Sequence, residues 1–241
     1  MSHLHIPDGV IPPIWLALGF SGTAGLLALA IVRTRREEIT SSLSRLSVIC
    51  AFMLLAMSIP LGFLPVHLNL TVLAGILLGP WLGIIASFIV NLILALVGHG
   101  GITVVGLNTL VVGSEVVLGY YLFRALRQHM RPTAAAALAT ALTLLVSMTL
   151  MIGLVGLTQI EPSLLLHDHG FSHEEEHEME ALQEISLVRF TQIILPISLV
   201  GIILESAVTS LLISYLLKVK PDLISTPKDE GQIEDEQGLP R

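Results

Sequence analysis

Long apolar runs are the feature that most restricts how this chain can fold. Several approach or exceed the roughly 20 residues that span the hydrocarbon of a bilayer as an α-helix, and they cover Pro12–Val32, Ser47–Leu64, Leu68–Phe123, Thr133–Leu157 and Leu187–Leu217. Charged residues make up only 13% of the sequence, against about 25% in soluble domains. The runs lack the alternation of a membrane β-barrel. The sequence therefore predicts an all-α, polytopic protein of the cell membrane.

Clusters of basic residues set the predicted topology. They follow the first, third and last apolar runs, and they contain Arg33, Arg35, Arg36, Arg124, Arg127, Arg131, Lys218 and Lys220. If these clusters face the cytoplasm, the chain between Leu64 and Arg124 crosses an odd number of times, and breaks at Gly79-Pro80 and at 98–101 supply three crossings. We predict about seven transmembrane helices, with the N-terminus outside and the C-terminus in the cytoplasm. A five-crossing version stays open, because His67–Leu78 is short for a span and would tilt, thin the bilayer or be partly re-entrant.

The nine histidines are distributed unequally across this topology. Only His129 falls inside, and the outer eight are His3, His5, His67, His99, His167, His169, His173 and His177. Imidazole is the commonest protein ligand for metals, so the distribution indicates capture of a metal ion from outside. The alternative is that these histidines occupy solvated loops without any ligand.

The N-terminus has the composition of a nitrogen chelate. A terminal amine, the following backbone amides and an early imidazole can form the planar set that Ni(II) and Cu(II) favour. If Met1 is removed, the Ser2 amine and His3 supply three nitrogens, and His5 or His67 can supply the fourth. The alternative is that His3 and His5 merely begin a solvated terminus.

Polar segments complete the predicted organisation. Residues 1–218 form a single integral membrane domain that binds metal, with an outer histidine-rich, acidic loop at about 159–186. The loop histidines, His167, His169, His173 and His177, would collect divalent cations, or the loop is simply a solvated acidic one. Residues 219–241 are predicted to be a disordered acidic cytoplasmic tail. Cys50 is the single cysteine, so neither an internal disulfide nor a cysteine-based metal site can form, and the acidic net charge of −7 does not favour nucleic acid as a partner.

Three motifs in order along the chain carry a resemblance to a known family. They are His5-Ile6-Pro7-Asp8-Gly9, then Ile76-Leu77-Leu78-Gly79-Pro80-Trp81, then Gly98-His99-Gly100-Gly101-Ile102-Thr103 with Asn108 behind it. The chain resembles the substrate-binding membrane component of cobalt/nickel energy-coupling-factor (ECF) transporters, the CbiM/NikM family. The resemblance implies Co(II) or Ni(II) as the transported substrate and no catalytic cofactor. It also implies a transmembrane coupling protein and ABC-type ATPases as partners, and leaves open a small accessory membrane subunit.

The resemblance also implies a ligand set. His5 takes the position of the family's early histidine, and His67 that of the histidine in the following outer loop. The family begins with Met directly before the early histidine, whereas Leu4 stands there in this sequence. Two solutions remain, of which we slightly favour the first: His3 with a free Ser2 amine forms the chelate, or His5 and His67 bind with His3 as an additional imidazole.

Three further residues are expected around the ligands. Asp8 would brace the turn that folds the terminus back. His99 would orient a ligand or line the entrance, unless it is only a polar residue at a tight helix connection. Asn108 would hydrogen-bond the N-terminal segment, since an amide in hydrocarbon needs a partner.

Ionisable residues within apolar runs are candidates for function by default. Glu115 and Glu205 are such residues, and could act as helix-helix hydrogen-bonding groups, as packing against a coupling protein or as proton carriers. No lysine lies in a phosphate-loop context, so ATP hydrolysis is expected only in partner subunits. The main alternative is a stand-alone metal permease driven by an ion gradient. An enzyme is not predicted, because no His-Glu-x-x-His lies within a span and no Gly-x-Ser-x-Gly occurs. A metal-sensing receptor is not favoured either, because the short tail offers no signalling domain.

Overall fold

The computed structural model describes residues 11–34, 36–59, 67–158 and 187–224, and all regular secondary structure in this part of the chain is helical. Six helices occur there: α1 Pro13–Arg33, α2 Arg36–Ser58, α3 Thr71–Leu96, α4 Val105–Leu126, α5 Pro132–Thr158 and α6 Leu187–Val219, followed by a 3-10 turn at Pro221–Leu223. By length and composition, five of these are apolar enough to cross a membrane, and the apolar part of α2 is the shorter Ser42–Ser58. The all-α, multi-pass prediction is confirmed.

The predicted count of seven helices is not confirmed by these residues. The sequence predicts separate helices on the two sides of Gly79-Pro80, and α3 is interrupted at this point by a kink with non-helical backbone at Gly79. Gly79 has φ 78° and ψ 173°, a region open essentially to glycine alone, and Pro80 removes one backbone donor. The kink divides α3 into a first arm, residues 71–78, and a second arm, residues 80–96.

The two arms of α3 fold back on each other. A straight helix of 26 residues would be about 39 Å long, yet the rings of His67 and His99, which flank α3, have centroids 5.2 Å apart. A Cβ added at Gly83 in the second arm would lie 3.6 Å from the carbonyl oxygen of Ala74 in the first. The fold-back therefore brings the residues before α3 next to the residues after it.

Close helix contacts at glycines hold the arms and α1 against α4. A Cβ at Gly75 would come within 2.5 Å of the carbonyl oxygen of Val116, and one at Gly106 within 2.6 Å of the backbone nitrogen of Phe20. Thr23 on α1 adds a hydrogen bond to α4, which its Oγ1 donates to the carbonyl oxygen of Gly106 at 2.6 Å. Small residues permit this packing in a bilayer, where helices associate through van der Waals contact and hydrogen bonds.

Small residues on α1 and α5 differ in the contacts that they make. Gly19 and Gly22 do face α4, with Leu107 and Leu110 as their neighbours. Gly25 has no neighbour within 4 Å of an added Cβ, so it makes no such contact with the described residues. In the run of alanines on α5, Ala135 and Ala136 are fully buried.

Candidate metal centre

Two imidazoles meet at one end of the folded-back helix. The rings of His67 and His99 pack edge to face, with centroids 5.2 Å apart and planes 84° apart. Both side chains are partly buried. Sequence reasoning placed both histidines on the outer side but gave no reason to expect a contact between them. The kink at Gly79 explains this contact.

The environment of His67 favours its neutral form. Burial lowers the pKa of this imidazole from its usual value of 6.5, and the neighbouring His99 lowers that pKa further. A histidine binds a metal only when the coordinating nitrogen carries no proton. His67 is therefore in the protonation state that coordination requires over a wider range of pH than an exposed histidine.

The other predicted site residues are not brought together in the described part of the chain. Ser2, His3, His5 and Asp8 lie outside the described residues, as do the loop histidines His167, His169, His173 and His177. Asn108 is buried on α4, and its predicted bond to the N-terminal segment involves residues outside that part. Among the residues described, no group of three or more His, Cys, Asp or Glu side chains is placed to hold a metal ion.

Two buried carboxylates bind the chain just after His67. Glu115 Oε2 accepts hydrogen bonds from Asn69 Nδ2 at 2.8 Å and from Thr71 Oγ1 at 2.6 Å. Glu205 Oε1 accepts from the backbone N–H of Leu70 at 3.0 Å, and its Oε2 from the backbone N–H of Asn69 at 3.2 Å. Both glutamates are fully buried. We call these two glutamates the carboxylate clamp.

The carboxylate clamp stabilises an otherwise unfavourable start of α3. Leu70 lies in the left-handed region, at φ 58° and ψ 18°, which costs a residue other than glycine about 1–2 kcal/mol. The first N–H groups of a helix have no partner within the helix, and its N-terminus attracts negative charge. The clamp accepts hydrogen bonds from the backbone N–H groups of Leu70 and Asn69. Non-helical backbone is tolerated at membrane depth where protein rather than lipid surrounds it, and the clamp provides such surroundings at the start of α3.

Sequence reasoning identified one half of this arrangement. It selected Glu115 and Glu205 and offered helix-helix hydrogen bonding as one of three roles, and the bond from Thr71 on α3 to Glu115 on α4 is of this kind. It missed Asn69 and Thr71. The available signal was a pair of small polar residues directly before a long apolar run, which is typical of a helix start.

The fold and these residues define a class of protein. The chain is a multi-pass helical membrane protein in which a discontinuous helix, anchored by buried carboxylates, presents a pair of imidazoles at one end of the bundle. The chain belongs to the CbiM family, described as the cobalt uptake substrate-specific transmembrane region, whose sequence model matches residues 5–223.

Relatives in the family carry names from metal transport. A putative metal transport protein of Haloquadratum walsbyi is 29% identical over 235 residues, covering 95% of this chain and 97% of that protein. A putative fused nickel transport protein, NikMN, of Archaeoglobus fulgidus is 36% identical over 135 residues, covering 55% of this chain and 45% of that protein. The cobalt transport protein CbiM of Clostridium tetani is 31% identical over 145 residues, covering 57% of this chain and 60% of that protein.

The fold is also found in a solved structure. A crystal structure of a transition metal transporter superposes with a TM-score of 0.70 at 20% sequence identity, covering 89% of this chain and 93% of that chain. At this identity the similarity establishes the shared fold. The predicted membership of the cobalt/nickel family is thus confirmed by the sequence model and by the named relatives.

Proposed function

We propose that this chain is the substrate-specific membrane component of an ECF-type ABC importer that captures Co(II) or Ni(II) at an outer site. The observation that carries the proposal is the contact between His67 and His99, with a lowered pKa at His67. His99 lies in one of the motifs that carry the family resemblance, and His67 takes the position of the family's loop histidine. Relatives named for cobalt and for nickel transport support the choice of these two ions as the substrate.

The proposed ligands are His67 and the N-terminal segment. In the favoured version, a free Ser2 amine with His3 supplies three nitrogens and His67 the fourth. In the other, His5 and His67 bind, with His3 as an additional imidazole. We assign His99 to the entrance or to orienting His67, because its ring packs against that ligand. Asp8 and Asn108 are proposed to hold the terminus in place, and the loop histidines to collect cations before capture.

We further propose seven crossings, of which the third is discontinuous. Residues 68–70 and the first arm would make that crossing, the second arm the next, and α4 the one after. The guanidinium of Arg33, at the basic end of α1, lies 5.8 Å from the ring centroid of Trp81, next to the kink. This contact supports placing the kink at the cytoplasmic side and the two histidines outside. Residues 1–218 would then be the membrane domain, with 219–241 as the cytoplasmic tail.

ATP hydrolysis is assigned to partner subunits in this proposal. A transmembrane coupling protein and ABC-type ATPases would drive release, and a small accessory membrane subunit remains optional. An ion-gradient permease would use Glu115 or Glu205 as a proton carrier. The hydrogen bonds of the carboxylate clamp account for both residues without a proton path.

Mass spectrometry of the purified full-length protein, with its metal content, tests the proposal. We expect one equivalent of Ni(II) or Co(II) per chain and a free Ser2 amine. An acetylated or extended terminus would remove the amine chelate and leave the version with His5.

Substitution of the ligands provides the second part of this test. His67→Ala should weaken binding of Ni(II) by roughly 100-fold or more, since loss of even a supporting residue typically weakens a metal site by about 10- to 100-fold. His129→Ala is the matched control, because His129 lies in an exposed turn after α4. Metal retention by a protein that lacks His3, His5 and His67 together would contradict the proposal.

A further inference from the structure

The carboxylate clamp lies close to His67 along the backbone. Asn69 follows His67 by two positions, which corresponds to at most about 7 Å of chain. The N–H groups of Asn69 and Leu70 both bind Glu205, and the side chain of Asn69 binds Glu115. The backbone that carries His67 is therefore fixed from two helices that are remote in sequence.

The hydrogen bonds also indicate what the clamp does not do. Glu115 Oε2 faces an amide and a hydroxyl donor, and both oxygens of Glu205 face backbone N–H donors. Donors converging on carboxylate oxygens make an environment for an anion, and a metal cation would have to displace them. The clamp is thus suited to holding backbone, not to binding a second ion.

We propose that Glu205 and Glu115 are positioning residues for metal capture, setting the place of His67 by holding residues 69–71. This inference rests on the proposed function, since it takes His67 as a ligand. The two glutamates differ in an informative way. Glu205 uses both oxygens, one for each N–H, whereas Glu115 uses a single oxygen for both described donors.

This difference predicts different outcomes for the same substitution. In Glu205→Gln, one amide –NH₂ group must face a backbone N–H, so one bond is lost and two donors oppose each other. In Glu115→Gln, the remaining amide oxygen can still accept from Asn69 and Thr71. We expect Glu205→Gln to weaken binding of Ni(II) at least tenfold, and Glu115→Gln, which can keep its two described bonds, to weaken it less.

The experiment uses the full-length chain, purified and stripped of metal, with Ni(II) as the probe. Calorimetry gives the dissociation constant, and the visible absorption of bound Ni(II) reports the ligand geometry. The thermal midpoint of each metal-free variant is measured as well. A merely structural role would lower the thermal midpoint and leave the spectrum of the bound ion unchanged, whereas a positioning role shifts the spectrum of Glu205→Gln towards that of His67→Ala.

Three results would overturn the positioning role. The first is wild-type affinity and spectrum in Glu205→Gln, and the second is a lowered thermal midpoint of Glu205→Gln with an unchanged spectrum of its bound Ni(II). If Glu205→Gln does not fold, Asn69→Ala decides, because it removes only the bond to Glu115 and should weaken binding several-fold with an altered spectrum. The third is therefore wild-type binding by Asn69→Ala.

Wild type and His67→Ala, measured in parallel, separate this proposal from the one on which it rests. If wild type binds no Ni(II), or His67→Ala binds it equally well, the proposed function fails. If His67→Ala is defective while Glu205→Gln is normal, only the positioning role fails.

Discussion

At the scale of single residues, Gly75 provides the sharpest test of the packing. A Cβ at this position would lie 2.5 Å from the carbonyl oxygen of Val116, and that oxygen belongs to the backbone of α4, which cannot move aside like a flexible side chain. We expect Gly75→Ala to destabilise the protein by about 1–3 kcal/mol through overpacking. Thermal unfolding in detergent measures the change.

Gly25→Ala is the matched control for this substitution. It lies within α1, and no atom of the described residues comes within 4 Å of an added Cβ there. Because alanine is favoured over glycine in a helix by about 1 kcal/mol, the variant should be as stable as wild type or slightly more so. Similar losses in the two variants would mean that the contact between the first arm and α4 is not the cause.

The sequence revealed the buried carboxylates but not their partners. Glu115 and Glu205 stand out because ionisable groups within hydrocarbon need a reason. Their bonds to Thr71 and Asn69 join positions 44 and 136 apart in the chain. Neither local pattern nor composition encodes such a distance, so only the assembled bundle shows which donors reach each oxygen.

At the scale of elements, Gly79 rather than Pro80 should determine the fold-back of α3. Gly79 has φ 78° and ψ 173°, a conformation that strains other residues by about 1–3 kcal/mol. Pro80 begins the second arm, where proline is compatible with the first turn of a helix and is not required there. We expect Gly79→Ala to lower stability by that amount and Pro80→Ala to change it little, both measured by thermal unfolding.

Binding of Ni(II) provides a second measurement for the Gly79→Ala and Pro80→Ala variants. Since the fold-back brings His99 to His67, Gly79→Ala should also weaken binding of Ni(II), while Pro80→Ala should not. A larger loss in the proline variant would show that the missing backbone donor, rather than the glycine conformation, creates the kink.

Apolar runs predict most helices well and their contacts poorly. The last run, Leu187–Leu217, matches α6 at Leu187–Val219. The second run begins at Ser47, but α2 begins at Arg36, because a helix that continues beyond the apolar layer has no apolar signal there. The kink at Gly79 was visible in the sequence. The direction in which the arms fold was not visible there, because it depends on Gly75, Gly83 and their neighbours on α4.

At the scale of the whole molecule, the exposed apolar surface fits a membrane environment. Large apolar side chains remain exposed along the helices, including Leu18, Phe52, Leu145 and Ile203. In water such a surface would mark an interface or promote aggregation. In a bilayer it faces lipid, while the polar groups of the carboxylate clamp are enclosed by protein.

The proposed topology makes the last prediction, which concerns the two sides of the bilayer. Ile102 is exposed in the connection between α3 and α4, and His129 in the turn after α4. With Cys50 replaced by alanine, the variants Ile102→Cys and His129→Cys each carry one thiol. In intact cells, a maleimide that cannot cross the membrane should label the first and spare the second, and permeabilised cells should show labelling of both. Seven crossings require this asymmetry, because the kink then lies inside and both histidines outside. Labelling of His129→Cys but not Ile102→Cys in intact cells would show that the protein has the opposite orientation in the membrane. The paired imidazoles would then lie where no external ion could reach them.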